Sequence, residues 1–149
     1  LGDVYFSKIF SLGVNACVEA VDLIASGNPP RIIQDELKAT YETWCKKSDS
    51  KINWNKSGQE IYNLIRGCNP QPGAWANIEG NEYSFYDTSF ELTKNSKFLS
   101  GQIISINKHE IVISVIGGIL KVSRIKSKQG KLYIKEMDTD VFKVGYVFM

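Results

Sequence analysis

Lys51-Ile-Asn-Trp54, Ser57-Gly-Gln-Glu60-Ile-Tyr-Asn-Leu-Ile-Arg-Gly67 and Pro70-Gln-Pro-Gly-Ala-Trp75 together decide how the chain divides. Ser57 and Glu60 have capping-box spacing, in which a serine oxygen accepts from the N3 amide while the glutamate reaches back. Ile61, Leu64 and Ile65 then share one helical face. Gly67 is placed to end the helix in a left-handed conformation. Pro70 and Pro72 fix their own φ and drive Asn69 and Gln71 out of the helical region. Gly73-Ala-Trp75 opens an extended run. Upstream of this stretch the pattern is helix and coil; downstream it is strand.

Upstream, the spacing predicts a helix over residues 3–26, with Asp3 as N-cap. Phe6, Ile9, Phe10, Gly13, Cys17, Ala20, Val21 and Ile24 form one apolar stripe, and Gly27-Asn-Pro-Pro30 stops the helix. So apolar a stripe requires a partner, and the reading favours one outside this chain. Residues 31–56 read as an extended connector. In it Arg31-Ile-Ile-Gln34 and Ala39–Trp44 are expected to pair as edge strands, with Trp44 and Trp54 as anchors.

Downstream, strands are predicted at Ala74–Ile78, Tyr83–Leu92, Gln102–Ile106, Ile111–Val115, Ile119–Lys126 and Lys131–Met137. Turns fall at Glu79-Gly-Asn81, Asn107-Lys-His109, Gly117-Gly118 and Gln129-Gly130. Short strands at this spacing make a small antiparallel barrel. A helical turn is expected near Asp138–Phe142, before an apolar tail, Gly145–Met149. The fold class is α+β: an N-terminal helix and connector, then a small antiparallel OB-like barrel. The boundary lies around residues 46–55, giving units 1–50 and 51–149.

The 149 residues carry a net charge of +2, which gives no chain-wide claim on nucleic acid. No apolar run reaches membrane-spanning length. Leu1-Gly-Asp-Val-Tyr-Phe lacks the features of a signal peptide, and the immediate start of a helix suggests a chain that begins mid-protein. Cys17, Cys45 and Cys68 are odd in number and lack CxxC spacing, so reduced thiols in a cytoplasmic compartment are expected rather than metal or redox chemistry. A single histidine, His109, makes a histidine metal or triad site improbable.

The succession Gln34, Ala39-Thr-Tyr41, Ile52-x-Trp54, Ile65-Arg-Gly67 and Pro70-x-Pro-Gly-Ala-Trp75 resembles the C-terminal half of the 10-formyltetrahydrofolate-dependent formyltransferases. That family includes methionyl-tRNA formyltransferase, the hydrolase domain of 10-formyltetrahydrofolate dehydrogenase, and a nucleotide-sugar formyltransferase domain. The resemblance implies a two-lobed enzyme of one-carbon metabolism. A Rossmann-like N-terminal lobe binds 10-formyltetrahydrofolate and performs the chemistry; an OB-related lobe follows. With methionyl-tRNA as acceptor, the setting is translation initiation. The family's catalytic asparagine, histidine and aspartate lie upstream of the first helix, and no His-Pro occurs here. No catalytic, cofactor-binding or metal residue is therefore carried over, and the expected partners are the N-terminal lobe and initiator tRNA. The acceptor stays open between tRNA, water and a sugar nucleotide, and a stand-alone OB-like nucleic-acid-binding module is a further alternative.

Candidate contacts to a tRNA backbone are Arg66, Lys121, Arg124, Lys126, Lys128 and Lys131. Arg66 also suits a helix C-terminus, and a lysine-rich hairpin also protects an edge. Strict alternation places Lys121 on the sheet face opposite Arg124 and Lys126. The Pro70–Trp75 turn either lines a cleft or is a rigid corner with Trp75 in the core. Tyr83, Phe85, Tyr86 and Phe90 are expected in the core rather than as a stacking platform. Asp138 and Asp140, beside Thr139, are expected as caps.

Overall fold

The computed structural model describes residues 2–93, 97–128, 130–136 and 141–149. The expected helical turn at Asp138–Phe142, its flanking carboxylates Asp138 and Asp140, and the turn residue Gln129 fall wholly or partly outside these residues. Two compact units result, Leu1–Trp44 and Cys45–Met149. Residues 46–50, read from sequence as part of the connector, belong with the second unit.

In the first unit, helix α1 runs from Gly2–Val4 through a π-helical turn at Tyr5–Ile9 into Phe10–Ala25. It ends as predicted: Ser26 caps it and Gly27 follows at φ +86°. Asp3 lies inside the first turn rather than capping it. None of the helix's side chains is buried, and Phe6 is 74% exposed. The two edge strands expected at residues 31–34 and 39–44 do not form; a 3-10 turn at Glu36–Lys38 is the only regular structure there among the described residues. Trp44 is 92% exposed, whereas Trp54 is buried as expected. A strand needs a neighbour, and residues 31–44 supply none of their own.

In the second unit, helix α2 spans Gly58–Gly67 and starts on the predicted capping box. The Glu60 amide donates to Ser57 Oγ, and the Ser57 amide donates to Glu60 Oε2 at 3.1 Å. These bonds to Ser57, with Lys56 nearby, hold the Glu60 carboxyl below the usual range. Ile61 and Ile65 are buried and Leu64 partly so, which makes α2 a lid on the core. Gly58 allows the close approach, since a Cβ there would overlap the Phe90 ring and Val115. The helix does not end on a left-handed Gly67: Cys68 caps it at φ −87°, and the left-handed glycine is Gly73, after Pro70 and Pro72.

Among the described residues the strands are β1 Ala74–Ile78, β2 Asn81–Leu92, β3 Ile103–Ile106, β4 Ile111–Val115, β5 Gly118–Ser127 and β6 Gly130–Tyr133. The last is shorter than predicted and passes into a 3-10 turn, Ile134–Glu136. All pairs are antiparallel, in the order β1-β2-β5-β4-β3, with β6 also on β5. The ladder does not close by pairing β1 with β3. The apolar tail spans that gap instead. Met149 and Asn77 exchange two backbone bonds at 2.8 Å, while Phe148 and Gly145 donate to Gly101 and Ile103. The other open group on the β1 edge, the Trp75 carbonyl, accepts from the Ile52 amide. The tail is thus a structural seam. Phe148 packs against Trp54, Phe85 and Phe142 with ring centroids 5.1–6.2 Å apart.

Candidate functional site

Long strands keep side-chain alternation only while the pleat is unbroken. Here β2 and β5 lose phase together. Phe85 pairs with Ile125, and both are buried. Strict alternation would then turn Val122 and Leu120 outward, yet both are fully buried opposite Thr88 and Phe90. Each strand therefore skips one residue at the Asp87–Ser123 level. Asp87 adopts φ +46°, a conformation aspartate tolerates better than most residues, and its carbonyl accepts from Ser123 Oγ at 2.8 Å.

The phase break has an electrostatic result. Lys121 flanks inward Leu120 and Val122, while Arg124 and Lys126 flank inward Ile125, so all three point outward on one face. The expectation that Lys121 opposes the other two is corrected. Register adds β6: Arg124 lies opposite Tyr133, and Lys126 opposite Lys131. Lys128 is exposed in the turn between them.

These cations are not equivalent. Lys121 pairs with Glu91, and Arg124 with Asp87 at 2.9 Å. The Lys131 ammonium stands 3.4 Å from the centre of the Tyr86 ring, a cation–π contact. Burial against the ring, then repulsion from Arg124, push Lys131 below the ordinary lysine range. Lys126 and Lys131 face each other across the strands, an unfavourable like-charge pair. An anion placed between the two ammonium groups would relieve that repulsion. Arg66 belongs to α2, its guanidinium 5.3 Å from the Tyr62 ring centre.

The aromatic prediction holds with one refinement. Tyr83 and Phe85 are in the main core with Phe90 packed against it, whereas Tyr86, equally buried, belongs to the outer face. Its hydroxyl lies under Gly73, where a Cβ would collide with it. Burial raises the Tyr86 phenol, opposed by its bond with Ser84. Trp75 is not core. Ala74, Ala76 and Ile78 point inward on β1, and Trp75 stays half-exposed with its indole N–H donating to Lys47 O at 2.8 Å. Lys47 and Lys51 flank its ring at 5.3 and 5.5 Å. Sequence reasoning placed Tyr86 and Trp75 in the core rather than beside these cations, and missed Tyr133 and the flanking of Trp75 by Lys47 and Lys51. The consecutive aromatics Phe85-Tyr86 before Asp87 were the available sign that alternation fails there.

Comparison with known proteins agrees with this architecture. Residues 45–139 match the family described as formyl transferase, C-terminal domain. The chain is 42% identical over 103 residues to cytosolic 10-formyltetrahydrofolate dehydrogenase of Xenopus laevis, covering 69% of this chain and 11% of that protein. It is 31% identical over 148 residues to methionyl-tRNA formyltransferase of Natranaerobius thermophilus, covering 97% of this chain and 46% of that protein. The fold also matches HypX from Aquifex aeolicus in complex with tetrahydrofolic acid. There the TM-score is 0.71 at 14% identity, over 98% of this chain and 28% of that one. The chain thus spans less than half the length of each of these proteins. With the family match over most of the second unit, this chain belongs to the formyltransferase family and carries its C-terminal domain.

Proposed function

We propose that the chain is the C-terminal portion of a cytoplasmic enzyme that moves a formyl group from 10-formyltetrahydrofolate to methionyl-tRNA, and that the basic face of β5 and β6 holds the tRNA backbone. The observation that carries this reading is the Lys126–Lys131 pair, two cations in cross-strand register beside Arg124, with Lys128 at the turn. Phosphates attract such a group, and their binding releases counterions. In this reading α1 is the last helix of a Rossmann-like catalytic lobe, and residues 27–44 are the connector. The amine attacks the formyl carbon within that lobe, while this domain positions the acceptor stem.

A second reading has an observation of its own. The 42% identity to the dehydrogenase exceeds the 31% to the methionyl-tRNA formyltransferase above, so a parent in which water takes the formyl group competes with the first. Binding of initiator tRNA at rising salt separates them. Binding that weakens steeply with salt supports the tRNA reading; no binding at low salt overturns it and favours the hydrolase.

A further inference from the structure

Two outward rings stand at opposite ends of the sheet face that carries the cations. On β1, Ala74 and Ala76 are buried, so Trp75 between them faces outward and stays half-buried. Register carries its row across the sheet: Trp75 lies opposite Ser84, Ser84 opposite Lys126, and Lys126 opposite Lys131. Residues paired directly across antiparallel strands share a face, so all four stand on one side. Tyr133, two positions beyond Lys131 and opposite outward Arg124, shares that side and is 40% exposed. Three strand spacings and two residues along β6 separate Trp75 from Tyr133, about 16 Å. Lys126 and Lys131 lie between the rings, and the small Ser84 side chain leaves the row low beside the indole.

Cations attend both rings. The Lys47 and Lys51 ammonium groups stand 5.3 and 5.5 Å from the centre of the Trp75 ring, and the Arg124 guanidinium 5.3 Å from that of Tyr133. Lysine stems are long and flexible, so an ammonium can leave the ring for a phosphate while a base takes its place. A duplex keeps its base faces inside its own stack, whereas an unpaired strand offers them to aromatic side chains. Rings for the bases, with cations between them for the backbone, are the combination that holds single strands.

We propose that Trp75 and Tyr133, with Lys126 and Lys131 between them, form a track for unpaired RNA. One base stacks on each ring, and the phosphates that join them lie on the lysines. This deepens the tRNA reading above, on which it rests, by specifying that the backbone held on this face belongs to an unpaired segment.

The test titrates the full chain with a short oligoadenylate RNA and with a blunt duplex of the same length, at several salt concentrations. The single strand should bind more tightly than the duplex. Trp75→Leu and Tyr133→Leu should each weaken its binding by roughly five-fold or more, since stacking on one base is lost. Neither removes a charge, so the salt slope should stay at the wild-type value, whereas Lys126→Ala should lower it. In Trp44→Phe protein, whose other tryptophans are buried Trp54 and Trp75, the oligonucleotide should quench the emission. That measurement leaves the Trp75 hydrogen bond to Lys47 intact. Duplex binding as tight as the single strand, wild-type affinity in Tyr133→Leu, or unquenched emission on binding overturns the track. The tRNA reading survives those results if tRNA still binds with a slope that depends on Lys126. No binding of any of these nucleic acids at low salt overturns both.

Discussion

The Tyr86 hydroxyl fills the space in which a side chain at residue 73 would begin. Gly73 also holds φ +85°, so conformation and packing both require glycine there. The contact joins the Pro-Gln-Pro-Gly corner to the outer face of β2, and through Tyr86 to Lys131. The corner that carries the family resemblance is thereby coupled to the candidate phosphate site. Gly73→Ala should cost about 2–4 kcal/mol, combining left-handed strain with overpacking. Urea unfolding checks this, and a loss below about 1 kcal/mol contradicts the coupling.

The tail that seals the sheet makes its own prediction. Phe148 is buried among Trp54, Phe85 and Phe142, while the backbone beside it bonds to both sheet edges. Phe148→Ala should destabilise the second unit by about 3–5 kcal/mol. Amide exchange at Asn77 and Ile103 should quicken with it. Unchanged exchange at those two amides counts against the seam.

Cys68 gives a pH dependence of definite sign. Its thiol loses a proton near 9 when unfolded and about 11 when folded, because burial penalises the thiolate. Between those values the unfolded chain holds fewer protons, so stability falls as pH rises. The contribution is complete below pH 9 and is lost through pH 11, on the order of 2 kcal/mol. Denaturation of reduced protein at several pH values, compared with Cys68→Ala, isolates it. Parallel curves for the two proteins contradict it.

The phase break predicts a gain of binding. Asp87 neutralises Arg124 on the basic face and occupies a left-handed conformation that asparagine also accepts. Asp87→Asn should leave the backbone in place, free one cation, and tighten tRNA binding several-fold. The slope of log K against log salt should steepen by about one phosphate's worth, roughly 0.7–0.9. Equal slopes for both proteins would place Arg124 outside the interface.

Most of the fold was legible because its signals are local. The Ser57–Glu60 box, the Pro70–Gly73 corner and the strand-turn alternation each lie within a few residues. The Arg31–Gln34 and Ala39–Trp44 strands failed because apolar composition cannot supply a pairing partner. Trp75 misled because tryptophan's usual burial yields here to alternation, which gives the inward positions to Ala74 and Ala76. The face shared by Lys121, Arg124 and Lys126 depends on two strands slipping phase together at Asp87 and Ser123. Neither strand encodes that alone.

In the proposed function, the β5–β6 face binds phosphate. Initiator tRNA binding, titrated from low to physiological salt, tests it most directly in three proteins: wild type, Lys126→Ala and Lys126→Ala/Lys131→Ala. Wild type should show a steep salt slope that falls by about one for each lysine removed, with secondary structure unchanged. Wild-type binding with the same slope in all three proteins, or no binding at low salt, would contradict it.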